Sequence, residues 1–274
     1  MEKILSIVIA NYNYGRFLET AIRSVLDQNN DQIELIVVDG GSSDESVDII
    51  NRYSSRLAWW VSEKDKGQSD AFNKGFAHAN GRYLTWLNAD DVLVPGCLDK
   101  IIDTMRAHPE CEWFTGNFFR FTEDGRVTVV GWGPNYYPHF LQRRNSPIVV
   151  YGPTSFFSKK IYDEVGGINN DRHYIMDTDM WMRFIVRGIK QCRIRCFCWG
   201  FRMHEASKTA EFGDHSVSPE TFAKISSERA QSREETGYQT SRWMRKVIKL
   251  WQVVDGSLFT ALWLRVSFRT FKGA

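Results

Sequence analysis

Two stretches near the start of the chain share one design. ILSIVIANYN, from Ile4 to Asn13, and IELIVVDGGSSD, from Ile33 to Asp44, are apolar runs without alternation that stop abruptly at polar residues. A strand that is apolar on both faces needs cover on both faces, the situation of a strand inside a parallel sheet flanked by helices. Between the two runs, Phe17, Ala21, Ile22, Val25 and Leu26 recur at helical spacing, which gives a strand–helix–strand unit. LAWWVSE and RYLTWLN read as further strands. A helix through SDAFNKGFAHA, closed by Gly81, lies between them, and another runs from Pro95 to Ala107.

After about Cys111 the pattern changes. WFTGNFFRF and VTVVGW, joined by EDGR, suggest a hairpin, and MDTDMWMRFIVRGIK a helix with Met180, Trp181, Phe184 and Ile185 on its apolar face and Gly188 at its end. The expected fold class is therefore α/β: a Rossmann-like, doubly wound, mostly parallel sheet, extended by a smaller second sheet and C-terminal helices. In such sheets ligands bind beyond the carboxyl ends of the strands. Asn11, Asp39, Glu63 and the run Asn88 to Asp91 all fall at those ends, a concentration of polar groups that stability alone does not explain.

Composition narrows the field. A net charge of +2 over 274 residues gives no general case for nucleic-acid binding. No apolar stretch is long enough for a spanning helix, which needs about 18 or more residues. Five cysteines and an N-terminus that runs straight into a core strand fit a reducing, cytoplasmic setting. Cys192, Ile194, Cys196 and Cys198 share parity on one strand, so the cysteines read as small buried hydrophobes rather than zinc ligands. From Gln239 onward seven Lys or Arg stand against one Asp, so this tail carries +6 and the remainder −4. Trp243, Val247, Leu250, Trp251, Val254 and Leu258 fall on one side of a helix there, with Arg242, Arg245, Lys246 and Lys249 on the other. Such a helix suits either a membrane surface or docking on the domain.

The adjacent carboxylates of YLTWLNADDVLVPG, from Tyr83 to Gly96, repel one another and need a reason to be together; a turn and helix cap is one, a cation is another. The stretches SIVIANYN, LIVVDGGSSDES, DKGQSDAFNKGFAHANGRYLTWLNADD, GPTSFF, VGGIN, MDTDMW and RMHEASKT decide between them. Together and in this order they resemble the family 2 glycosyltransferases, inverting enzymes of the GT-A fold that use nucleotide sugars. The resemblance spans about residues 6–209. It implies a nucleotide-sugar-binding half at 1–110, an acceptor-binding and catalytic half at 111–215, and a helical tail at 216–274.

The same resemblance assigns residues. Asn88-Ala89-Asp90 matches an Asp-x-Asp motif with Asn in the first place. Asp90 would hold Mn²⁺ or Mg²⁺, Asp91 would sit beside it, and Asn88 would touch the ribose or a metal-bound water. Asp39 would accept the N3–H of uracil, with Tyr12 packed on the base and Asn11 at the same strand end. Gln68, Asp70 and Lys74 lie in the nucleotide-facing loop and helix. His204 would close over the diphosphate as a further metal ligand, near Arg202 and Lys208. In MDTDMW, Asp177 falls on the position of the general base, whereas Asp179 reads as a helix N-terminal charge. Met176 stands where the family has Glu, and Gly152-Pro153 where it often has Gln-Pro. The implied activity is sugar transfer from a nucleotide sugar, UDP-linked, to a saccharide or polyprenyl-linked saccharide in surface polysaccharide assembly. The implied site of action is the cytoplasm or the inner face of the plasma membrane. The departures at Asn88 and Met176 admit an alternative, a nucleotide-sugar-binding protein without catalysis.

Overall fold

The structure is a computed structural model. It describes residues 2–131, 142, 144, 146, 148, 150, 152–205, 218–240, 243, 244, 246, 247, 250 and 271. The first half alternates as the apolar runs require. Strand β1 (Leu5–Asn11), helix α1 (Gly15–Leu26), β2 (Ile33–Asp39), α2 (Ser46–Tyr53), β3 (Trp59–Ser62), α3 (Gln68–Ala77), β4 (Tyr83–Asn88), the short β5 (Val92–Leu93) and α4 (Cys97–Ala107) follow one another. β1 pairs in parallel with both β2 and β4, and β2 with β3.

The lack of alternation within the strands has its expected cause. Ile7, Ile9, Leu35 and Val37 pack under α1, α2 and α4 on one face. Val8, Ile36 and Val38 pack under α3 on the other. Gly81 has a different job from the helix end expected of it. α3 ends at Ala77 with His78 as its C-cap, and Gly81 lets the chain pass β1, where a Cβ would lie 2.6 Å from the Ser6 nitrogen.

The second half contributes β6 (Trp113–Thr122), β7 (Val127–Gly131), β8 (Ser155–Ser158), α5 (Lys159–Glu164), α6 (Met176–Val186), β9 (Gln191–Met203) and α7 (Pro219–Thr236). β6 and β7 form the antiparallel hairpin. Among the described residues there is no separate smaller sheet. The four-residue β8 pairs antiparallel with both β4 and β6, so one nine-stranded sheet runs β3-β2-β1-β4-β8-β6-β9-β5, with β7 alongside β6. Trp86 of β4, Trp113 of β6 and Trp181 of α6 stack across that junction, with ring centroids 5.7 and 5.4 Å apart.

Two further features differ from the sequence reading. Cys192 is not a free buried thiol: it is disulfide-bonded to Cys111, with Cα atoms 6.4 Å apart. Ile194 and Cys198 do pack in the core on the expected face. Asp179 is more than a helix-end charge. Its side chain is 2% exposed and meets Arg183 at 2.7 Å, Arg172 at 3.6 Å and the Ser232 hydroxyl of α7 at 2.7 Å. Removing one member of a buried ionic network strands the others, at a cost of about 3–5 kcal/mol. Asp179→Ala is therefore expected to lower unfolding free energy by about that amount, read as a shift in the urea midpoint. A change below about 1 kcal/mol would mean that the arginines find other partners.

Of the C-terminal tail, Trp243, Met244, Lys246, Val247 and Leu250 are described and helical. Met244 is buried, while Trp243 and Leu250 are each 67% exposed. Arg242, Arg245, Lys249, Trp251, Val254 and Leu258 lie outside the described residues, as does Lys208. Phe271 packs on Phe119 and Phe121 of β6, with ring centroids 4.9 and 5.2 Å apart. No helix among the described residues is long and apolar enough to cross a membrane.

Candidate active site

The carboxyl ends of β1, β2, β3 and β4 form one rim, and β9 ends on it too. The turn after β4 places Asp90 beside His204, which follows β9, with Asp90 Oδ2 and His204 Nε2 3.0 Å apart. The histidine side chain is enclosed. It lies edge-on to Tyr14 and against Phe17, with centroids 5.7 and 4.6 Å away. Its Nδ1 faces the Arg16 guanidinium at 3.3 Å. Arginine can only donate, so Nδ1 accepts and a neutral His204 carries its proton on Nε2, toward Asp90.

Asp91 is directed away from the crevice. It is fully buried, accepting from the Arg202 backbone N–H at 2.9 Å and from Asn88 Nδ2 at 2.9 Å. Burial and then the charge of Asp90 push its carboxyl well above the usual carboxylate range. Its role here is to tie β9 to the turn after β4. Asn88 completes the chain by accepting from Gln68 Nε2 at 2.8 Å. Arg202 is committed as well, its Nε donating to the Asp90 carbonyl at 2.9 Å.

No cluster of three or more His, Cys, Asp or Glu poised for a cation occurs among the described residues. A divalent ion that brings its own phosphate ligands needs fewer protein donors. Two cis ligands of an octahedral ion at about 2.1 Å stand about 3.0 Å apart, the spacing of Asp90 and His204. That pair fits such an ion, which would take the place of the shared proton; Asp91 does not.

The nucleotide-facing residues are distributed as follows. Tyr12 is 60% exposed. Asn11 donates to Asp39 at 2.6 Å, and its own Oδ1 is buried without a partner. Asp39 is fully buried, and each of its oxygens accepts at least two hydrogen bonds. Oδ1 accepts from Asn11 and from Ser42 Oγ at 2.5 Å; Oδ2 accepts from the Ser42 and Gly41 amides and from Ser62 Oγ at 2.6 Å. Burial alone would raise its pKa, but the bonds from Ser42, Ser62 and Asn11 outweigh it and hold the group below its ordinary value. Lys74 is paired with Glu63 at 2.7 Å, and Asp70 accepts from the Lys66 amide at 3.1 Å.

Asp177 opens α6. Its Oδ1 accepts from the Thr178 amide at 2.5 Å, and the Gly152 amide of the GPTSFF segment also binds it. Burial raises its pKa, and these amides and Arg229 of α7 only partly offset that rise. The loop before it is clamped by α7. Glu228 accepts from the His173 and Tyr174 amides at 3.1 and 2.9 Å, and Glu235 pairs with buried Arg172. Met176, in place of a Glu, receives a contact from the Ser69 hydroxyl on its sulfur at 3.3 Å.

Sequence reasoning missed Arg16, Arg229 and the α7 clamp. Arg16 was within reach of it, since it lies in the first turn of α1, the helix that follows β1 on the rim where such folds bind ligands. The α7 residues carried no local signal.

A curled, mostly parallel sheet with this rim is the GT-A architecture of nucleotide-sugar enzymes. The profile of glycosyl transferase family 2 matches residues 6–166, and the chain belongs to that family. The chain spans 33%, 58% and 58% of the length of three curated relatives that it matches. It is 40% identical over 105 residues to an uncharacterized glycosyltransferase of Nostoc, a match covering 37% of this chain and 33% of that one. It is 28% identical over 216 residues to the UDP-Glc:alpha-D-GlcNAc-diphosphoundecaprenol beta-1,3-glucosyltransferase WfaP of Escherichia coli, covering 76% and 80%. In structure it resembles S. aureus TarS 1-349 in complex with UDP, with TM-score 0.58, 14% identity and coverage of 84% and 65%. The mannosyltransferase PcManGT of Pyrobaculum calidifontis, in complex with GDP-Man and Mn²⁺, gives TM-score 0.55, 15% identity and coverage of 97% and 88%.

Proposed function

We propose that the chain is an inverting, divalent-cation-dependent glycosyltransferase that moves a sugar from a UDP-sugar to a hydroxyl of a saccharide or lipid-linked saccharide during surface-polysaccharide assembly. The observation that carries this reading is the meeting of Asp90 and His204, 114 residues apart in sequence, at the rim where a diphosphate would lie. The named specificity of WfaP supports the donor and the acceptor class.

In the proposed reaction Asp177 takes the proton of the acceptor hydroxyl. The acceptor oxygen bonds to the anomeric carbon as the bond from that carbon to the diphosphate oxygen breaks. The nucleoside diphosphate leaves with the electron pair. The raised pKa of Asp177 suits a base, because proton affinity is what a general base needs near neutral pH. Mn²⁺ or Mg²⁺, when bound, would stabilise the charge growing on the leaving diphosphate. Asp90 and His204 would hold it, and Arg16 would fix the histidine ring through Nδ1.

The tail adds a peripheral membrane contact to the proposal. Trp243 and Leu250 stand exposed on a helix beside the exposed Lys246, an amphipathic arrangement suited to an anionic surface.

The test is release of nucleoside diphosphate from a panel of nucleotide sugars, with Mn²⁺ or with EDTA, and with or without saccharide acceptors. Mn²⁺-dependent release of UDP that rises with an acceptor is the expected result. Binding without release under every condition would favour a non-catalytic binder. Release insensitive to EDTA would remove the metal.

A further inference from the structure

We infer that Glu228 of α7 is a positioning residue for sugar transfer: by holding the amides of His173 and Tyr174 it sets where Asp177 stands. This rests on the reading of Asp177 as the base.

Ile175 heads α6 and has no polar side chain to cap it, so the loop before it must set the direction of the first turn. That loop receives the Glu228 carboxylate. Oε1 accepts from the His173 amide at 3.1 Å and Oε2 from the Tyr174 amide at 2.9 Å. An ionised carboxylate is planar and accepts at both oxygens. Two bonds to consecutive amides therefore fix both the place and the tilt of that stretch of backbone, where a single bond would leave a hinge. Asp177 comes three residues after Tyr174, in the first turn of α6. A shift of the loop therefore moves the carboxylate.

The rest of α7 has a different task. Ser232 meets Asp179 and Glu235 meets Arg172, and both partners are buried. Glu228, Ser232 and Glu235 lie four and then three residues apart, on one face of the helix. α7 depends on the last two contacts for docking, because Ile225 is its one buried apolar side chain. Both Glu228 bonds go instead to main chain. Loss of Glu228 thus frees the loop while Ser232 and Glu235 keep the helix in place. Its effect should fall on geometry rather than on stability, and a misplacement of about 1 Å at a reacting group can cost on the order of 10²-fold in rate.

The test places Glu228→Ala in the wild-type chain and in Asp177→Asn. The assay is release of nucleoside diphosphate from the same panel of nucleotide sugars, with Mn²⁺ and acceptor, beside nucleoside diphosphate affinity and melting curves. Glu228→Ala is expected to lower turnover by about 10- to 100-fold, with affinity and melting temperature unchanged. In Asp177→Asn it should cause no further loss, since there is no base left to misplace. Glu228→Gln should fall between, because its oxygen still serves one amide while its NH₂ faces the other. Hydrogen exchange at the His173 and Tyr174 amides should quicken in Glu228→Ala. A purely structural role predicts the same fold loss in both backgrounds, together with a lower melting temperature. That result, full turnover in Glu228→Ala, or unchanged exchange at the two amides overturns the inference. Wild-type turnover in Asp177→Asn alone means that the base reading has failed and takes this inference with it. The same holds for the transfer reading if the wild-type chain releases no nucleoside diphosphate.

Discussion

Asp90→Ala is expected to abolish the metal-dependent part of nucleoside diphosphate binding and to lower sugar transfer by on the order of 10³-fold. A metal acting on a developing oxyanion contributes several kcal/mol, and each 1.4 kcal/mol is tenfold in rate. Alanine also leaves the enclosed His204 without its carboxylate partner. Asp90→Asn separates the two effects, because an amide oxygen still accepts from Nε2–H but brings no charge for a cation. Both variants should lose the difference in UDP affinity between Mn²⁺ and EDTA, while the asparagine form keeps the wild-type melting temperature. A wild-type Mn²⁺ dependence in Asp90→Asn would place the cation elsewhere.

The second large effect is expected at Asp177. Asp177→Asn preserves the contacts at the start of α6 but cannot take a proton, and loss of a general base typically costs on the order of 10² to 10⁴ in rate. Donor affinity should be unchanged, so the loss should fall on turnover. The pH profile adds an independent reading. Burial raises the pKa of this group, so activity should fall as pH drops through a value above the ordinary carboxylate range, and the variant should lack that limb. Stability moves the other way. A carboxyl with a raised folded-state pKa binds its proton more tightly when folded, so its charge is a cost at neutral pH. The asparagine variant should therefore melt no lower than wild type. Wild-type turnover in it would assign the proton to another acceptor.

The first half of the fold was legible because each strand declares itself locally. ILSIVIANYN and IELIVVDGGSSD are apolar on both faces, and nothing but a covered parallel strand accommodates that. Asn88-Ala89-Asp90 was legible for the same reason: its flanks define the strand end on which it sits. What sequence could not supply were contacts between segments far apart. Asp39 looks like an open carboxylate until Asn11 at the end of β1, Ser62 at the end of β3 and Ser42 in the loop after β2 close on it. Asp91 looks equivalent to Asp90 until the Arg202 amide claims it. Cys192 sits on the expected strand face, yet its partner is 81 residues away and no spacing rule names it. The four residues of β8 fuse two sheets into one, too short a strand to announce itself. In each case the neighbours were what the sequence left out.

The Cys111–Cys192 bond also determines how this molecule would respond to force. The two cysteines are 81 residues apart, and the segment between them carries β6, β7, β8, α5 and α6, including Asp177. At roughly 3.6 Å per extended residue, that segment holds about 290 Å of contour. While the bond is intact, tension applied at the two ends of the chain bypasses the segment, and that length stays hidden from the pull. Once the bond is reduced, the segment joins the load path and the same pull can draw it out.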